Sequence, residues 1–246
     1  METTDKRFRE IFSIEGRKKL FGTVLILALI RAAIQVRIPG MDAEALTSVT
    51  VYVTRPGLIA TIMDACTGGA FSHAAIFAIG IVPFAVMSLF FFVAGKIIPA
   101  FRRADGNART IDRWTFVSAL ALAVVSGFRL SIDWNNTLSG LGEAVVSDEV
   151  RGGAFILLST GILAFGAVLL SWIAAWLTKH GVGNGVVLIL SSGVIGRLVA
   201  ASLPEDERIV AYGLEFICLV LLCILSLDIK LAGNRKRGIL ESTDPV

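Results

Sequence analysis

Apolar positions along the chain gather into six long runs, near residues 20–38, 74–97, 115–132, 154–177, 185–203 and 209–230. Each has the 17–25 residues that a helix needs to cross roughly 30 Å of hydrocarbon. Polar connections separate them. A shorter stretch, LIATIMDACTGGAFS over 58–72, follows the first run and places Leu58, Ile62 and Cys66 on one side of a helix that Gly68 and Gly69 would end. It is too short to span, so the pattern alone predicts a helix lying on the outer surface or re-entering the membrane. The first run holds Arg31, and no small-residue cleavage site follows before RIPGMD, so it is expected to stay as a span and not to be removed as a signal.

Composition agrees with this pattern. Hydrophobic residues make up 55% of the 246 positions and charged residues only 17%, and mean hydropathy is +0.76, which is too apolar for a soluble domain. Membrane lipid is the expected surrounding. Cys66, Cys218 and Cys223 sit in apolar contexts with no metal-type spacing, so packing is their expected role, and no metal or cofactor is expected.

Lysine and arginine resist translocation, and they are unevenly shared between the connections. Lys6, Arg7, Arg9, Arg17, Lys18 and Lys19 precede the first run. Lys96, Arg102, Arg103, Arg109 and Arg113 stand at or beyond the end of the second, and Lys230, Arg235, Lys236 and Arg237 at or beyond the end of the sixth. The first, third and fifth connections hold little more than Arg55, Arg151 and Arg208. The expected organisation is a cytoplasmic segment over 1–19, a six-span domain over 20–230 and a cytoplasmic tail over 231–246, with both termini inside.

The fourth connection is then a cytoplasmic reversal, KHGVGNG over 179–185. Gly181, Gly183 and Gly185 are expected to supply positive φ there, and Asn184 to cap the next helix.

Charges inside runs are costly, at least ~2.5–3.5 kcal/mol each on insertion scales. Arg31, Arg129, Arg197 and Glu215 qualify. Arg129 is close enough to an end to snorkel, Arg31 is expected to be structural, and Arg197 with Glu215 on the next helix is a candidate ion pair. A proton or substrate relay is the weaker alternative. Nothing resembles hydrolytic chemistry: His73 and His180 lack acid or thiol partners at telling spacing, and TGGAFSH lacks the lysine of a nucleotide-binding loop. No enzyme activity and no nucleic-acid partner are expected. Asn135-Asn136-Thr137 matches a glycosylation sequon in pattern only.

Three stretches, in order, resemble one known family. WIAAWLTKHGVGNGVVLILSSGVI is similar to the fourth-to-fifth-span region of SecY, the protein-conducting channel, where a related G-I-G-N-G stands. LIRAAIQVRIPGMD, over 29–42, resembles the end of that family's first span, with Arg37 where its first proline would be. TGGAFSHAAIFAIGIVPF, over 67–84, resembles its plug-to-second-span segment, with His73 in place of an arginine. The resemblance covers roughly residues 17–240.

It implies an all-α integral membrane protein of the inner membrane, six helices corresponding to the first half of the channel plus a sixth span, with a plug-like re-entrant helix over 58–72. It also implies an apolar pore ring to which Ile81 and Ala85 contribute from the second span and Leu190 and Val194 from the fifth. A SecY subunit has ten spans, so this stretch supplies one wall of the lateral gate. The resemblance therefore implies a SecE-like subunit, a second channel half or a homo-oligomer, and a translocating polypeptide as partners. Of the loops that dock a ribosome or a SecA-type motor, only the start NRKRGILESTDPV is present, so that docking is not carried over. The expected function is passage or insertion of polypeptides. The alternatives are a non-conducting membrane scaffold of the same fold and a dimeric small-solute transporter.

Overall fold

The structure, a computed structural model, describes residues 14–41, 58–97, 108–137, 145–147, 150–202 and 213–226. Over these residues it is all-helical. In chain order the helices are α1 Ile14–Ala33, α2 Leu58–Thr67, α3 Val82–Ile97, α4 Ala108–Asn136, α5 Gly153–His180, α6 Gly185–Ser202 and α7 Gly213–Ser226. Among the described residues the only β pairings are two isolated bridges, Arg37 with Ala75 and Met41 with Val146.

Two helices, over Arg113–Asn136 and Gly153–His180, are long and apolar enough to cross a membrane, while α3, α6 and α7 are apolar but shorter. Glu15, Arg17, Lys18, Lys19 and Arg31 keep α1 out of the first class. Large apolar side chains stand exposed along these helices, among them Phe21, Leu89, Phe92, Leu157, Trp172 and Leu198. Water would penalise such a surface, and lipid would not.

Four of the apolar runs fall on helices: 115–132 lies within α4, 154–177 within α5, 185–203 nearly coincides with α6, and 209–230 contains α7. The first two differ. The apolar run 20–38 predicts helix to its end, but α1 stops at Ala33, because Pro39 holds the residue before it extended and the strand-like pair Ile76 N to Val36 O and Ile38 N to Ala74 O, both 3.1 Å, takes over the backbone bonding. The run 74–97 is helical only from Val82. Residues 68–81 are turns, with Ala74 and Gly80 left-handed at φ 46° and 61°. Pro83, whose missing N–H is no loss in a first helical turn, stands just inside α3. Residues 1–13 of the expected 1–19 segment and all of 231–246 lie outside the described residues, as do 42–57, 98–107, 138–144, 148–149, 203–212 and 227–230.

Contacts divide the chain into two compact units, Ala32–Trp172, and Met1–Arg31 with Ile173–Val246. In the first, the core gathers Ile38, Ala74, Ala78, Ile79, Trp134, Val145, Val146, Phe155 and Leu163. Phe84 of α3 meets Phe116 of α4 with ring centroids 5.6 Å apart. Two glycines let the irregular 74–81 segment in close: a Cβ on Gly166 would land on the Ile76 carbonyl oxygen, and one on Gly127 would meet Ile79 Cδ1 at 3.2 Å. The same unit bonds Thr160 Oγ1 to Ser131 Oγ at 3.3 Å, a buried hydroxyl pair between α4 and α5.

The second unit holds α1 as far as Arg31, the end of α5, α6 and α7. Leu27, Leu177, Val182, Leu188 and Cys223 are buried in it, and Thr23 Oγ1 returns to the Lys19 carbonyl at 2.8 Å.

Candidate functional site

The plug-like segment ends in a hydrogen-bonded glycine cap. Gly68 N donates to Ala65 O at 3.2 Å and Gly69 N to Asp64 O at 2.9 Å, with both glycines left-handed at φ 68° and 94°. That pairing is the Schellman arrangement, which closes the last carbonyls of a helix. Two side chains then hold the next turn: Asp64 Oδ1 accepts Ser72 N at 2.9 Å, and Thr67 Oγ1 accepts Phe71 N at 3.3 Å. Asp64 and Thr67 are both buried.

Thr67 also seats this turn on the start of α3. A Cβ on Gly80 would come within 2.8 Å of Thr67 Cγ2, so a glycine is needed at the residue just before Ile81. The plug-like turn therefore stands directly against the chain that leads into α3. Of the apolar positions expected to face one way, Ile62 is half exposed and Cys66 partly buried. Burial pushes the Cys66 thiol up from its ordinary range. Leu58 begins α2, and its side chain lies outside the described residues.

Ile81 is the N-cap of α3: its carbonyl accepts Ala85 N at 3.0 Å. Its side chain is buried, and that of Ala85 half-buried. On α6, Leu190 is half-buried and Val194 exposed. Ile81 and Ala85 belong to the first unit, Leu190 and Val194 to the second.

The reversal at 179–185 corrects one expectation. Gly181, Gly183 and Gly185 do not take positive φ; the described glycines that do are Gly40, Gly68, Gly69, Gly80 and Gly152. Closeness is what excludes a side chain here. A Cβ on Gly185 would fall on the Ala174 backbone, one on Gly181 on the Leu177 carbonyl, and one on Gly183 would reach Ser226 Cβ at 3.1 Å. Asn184 does cap α6, its Oδ1 accepting Val186 N at 3.0 Å. The neighbouring orphan amide, Gly185 N, donates to Thr178 Oγ1 at 2.8 Å, a partner unseen in the sequence because it sits on the preceding helix.

Among the charged residues within runs, Glu215 goes to Arg31 and not to Arg197: Arg31 Nε donates to Glu215 Oε1 as an ion pair. Depth along the spans allowed either arginine, and only the rotation of the helices selects one. Gly196 completes the arrangement, since a Cβ there would land on the Arg31 guanidinium and within 2.6 Å of Glu215 Oε1. Arg197 engages a partner of its own. Arg129 is exposed. Asp64, Thr178 and Gly196 do not stand out in the sequence. Asp64 carried a weak signal, a lone carboxylate one turn before a glycine pair; the other two carried none.

The SecY family profile matches residues 75–231. Protein translocase subunit SecY of Buchnera aphidicola subsp. Baizongia pistaciae is 29% identical over 213 residues, covering 85% of this chain and 47% of that protein. The subunit of the same name from Vibrio cholerae is 27% identical over 216 residues, and that from Escherichia coli K12 is 26% identical over 215, each match covering 86% of this chain and 47% of the relative. The chain thus spans about half the length of these curated relatives.

Proposed function

This chain belongs to the SecY family, and from that premise we infer that it is a membrane-embedded part of a protein-conducting channel, forming one wall of the path that polypeptides take across or into the bilayer. Six spans with both termini cytoplasmic follow from the uneven lysine and arginine. A SecE-like subunit and a second channel half, or a second copy, complete the wall.

The observation that carries this reading is the seat of the plug-like turn. A ten-residue helix, too short to cross lipid, ends in a glycine cap whose Thr67 packs on Gly80, immediately before Ile81. A helix so placed is suited to stop a pore lined by Ile81 and Ala85, to which the family resemblance would add Leu190 and Val194. An apolar constriction keeps water and ions out while it is narrow and dry, and it passes a chain without holding it.

A single charge should wet such a ring. Ile81→Asp or Val194→Asp, reconstituted with the complete complex in a planar bilayer, should raise ion conductance. Leu221→Asp, at an exposed position of α7, should impair insertion without opening a pore. Equal conductance for the parent and both ring variants removes the constriction from these residues and puts the non-conducting scaffold in front.

A further inference from the structure

In lipid, helices gain little from hiding apolar faces against one another, so packing and polar contacts decide which of them associate. Among its described residues the second unit brings together such a contact between distant parts of the sequence: Arg31 of α1 and Glu215 of α7, with Gly196 of α6 beneath both. The pair is well shielded, the Arg31 side chain being 18% exposed and that of Glu215 10%.

Depth makes the pairing coherent. Arg31 and Gly196 each lie about eleven residues, or ~17 Å, from the cytoplasmic start of their expected spans, helical throughout, and the ion pair brings Glu215 to the same level. Three helices, running out, out and in, meet at one level. A glycine at 196 leaves the space that the guanidinium fills.

We propose that Arg31 is the insertion partner of the sixth span: the first span holds the cation in the membrane, and the sixth, carrying Glu215 near its entering end, is retained there by pairing with it across Gly196. The two side chains are not equivalent. Arginine has a long stem and can lift its charge toward the outer surface when it loses its partner; Glu215 is short and cannot. Losing Arg31 therefore harms the chain more than losing Glu215, and losing both harms it least. The inference rests on the membrane placement of these helices and is independent of whether the channel conducts.

The test uses the full-length chain carrying Ser242→Cys, with an impermeant maleimide added outside and the amount of chain retained in the membrane measured alongside. In the Arg31→Met variant, outside labelling of the tail should rise, or the retained amount should fall, on the order of tenfold. Glu215→Leu should show a smaller change in the same direction, and Arg31→Met with Glu215→Leu should return close to the parent. Gly196→Val should behave like Arg31→Met, because its side chain occupies the guanidinium's space. Rescue is read on the retained amount, so it decides the inference even if the parent's tail labels from outside, a result that would instead overturn the topology. Arg31→Met indistinguishable from the parent, or a double variant no better than Arg31→Met alone, overturns the proposal.

Discussion

The turn after α2 and the turn before α6 are both rich in glycine, and they use it for different physical reasons. At Gly68 and Gly69 the backbone is left-handed, which strains any residue with a Cβ, but a Cβ on Gly69 would meet nothing closer than His73 Cδ2 at 3.7 Å. At Gly185 the backbone is ordinary, and the Ala174 backbone occupies the place a Cβ would take. One turn needs freedom of φ; the other needs absence of volume. The first kind tolerates a residue that visits the left-handed region, such as asparagine, and the second tolerates no side chain at all.

Substitutions separate the two. Gly185→Leu is expected to be the most damaging, because backbone rather than a movable side chain blocks it. A loss of about 3 kcal/mol or more should appear as failure to accumulate in the membrane, and Gly185→Asn should fare no better. Gly80 combines both demands, with φ 61° and Thr67 Cγ2 at 2.8 Å. Gly80→Ala should cost about 2 kcal/mol, read as a lowered melting midpoint in detergent, and Thr67→Ser should recover part of it by removing the methyl.

Gly69→Ala should cost about 1 kcal/mol and Gly69→Asn roughly half as much, since Asn enters the left-handed region more readily. Equal losses for the two at Gly69, or an advantage of Asn at Gly185, would break the distinction. Of similar size is Asn184→Ala, expected to lower stability by about 1 kcal/mol or less through loss of the α6 cap, with Asn184→Ser close to the parent in the same melt.

Legibility in the sequence divides along the same line, between local and distant causes. Asn184 was readable because a cap acts within two residues of itself, and α4, α5 and α6 because long apolar runs with at most one charge admit little besides a helix. Residues 74–81 were not. Their apolar character is the same in a helix and in a buried irregular segment, and the deciding partners are distant: the bonds from Val36 and Ile38, and the small faces of Gly127 and Gly166. The ion pair was legible only by depth. Arg31 and Arg197 lie at similar levels, and nothing in the order of residues tells which one α7 presents Glu215 toward. The three glycines at 181–185 pointed to a turn, correctly, but a sequence cannot distinguish glycine chosen for φ from glycine chosen for closeness.

The claim that this chain lines a polypeptide path is tested most directly by crosslinking. A translocation intermediate is stalled in the complete complex, with a photoreactive residue placed in turn at Ile81, Ala85, Leu190 and Val194, and at exposed Leu198 and Leu225 as controls. Adducts with the stalled polypeptide at all four ring positions, and none at the two controls, are expected. Adducts confined to the controls, with none at the four, would contradict the account.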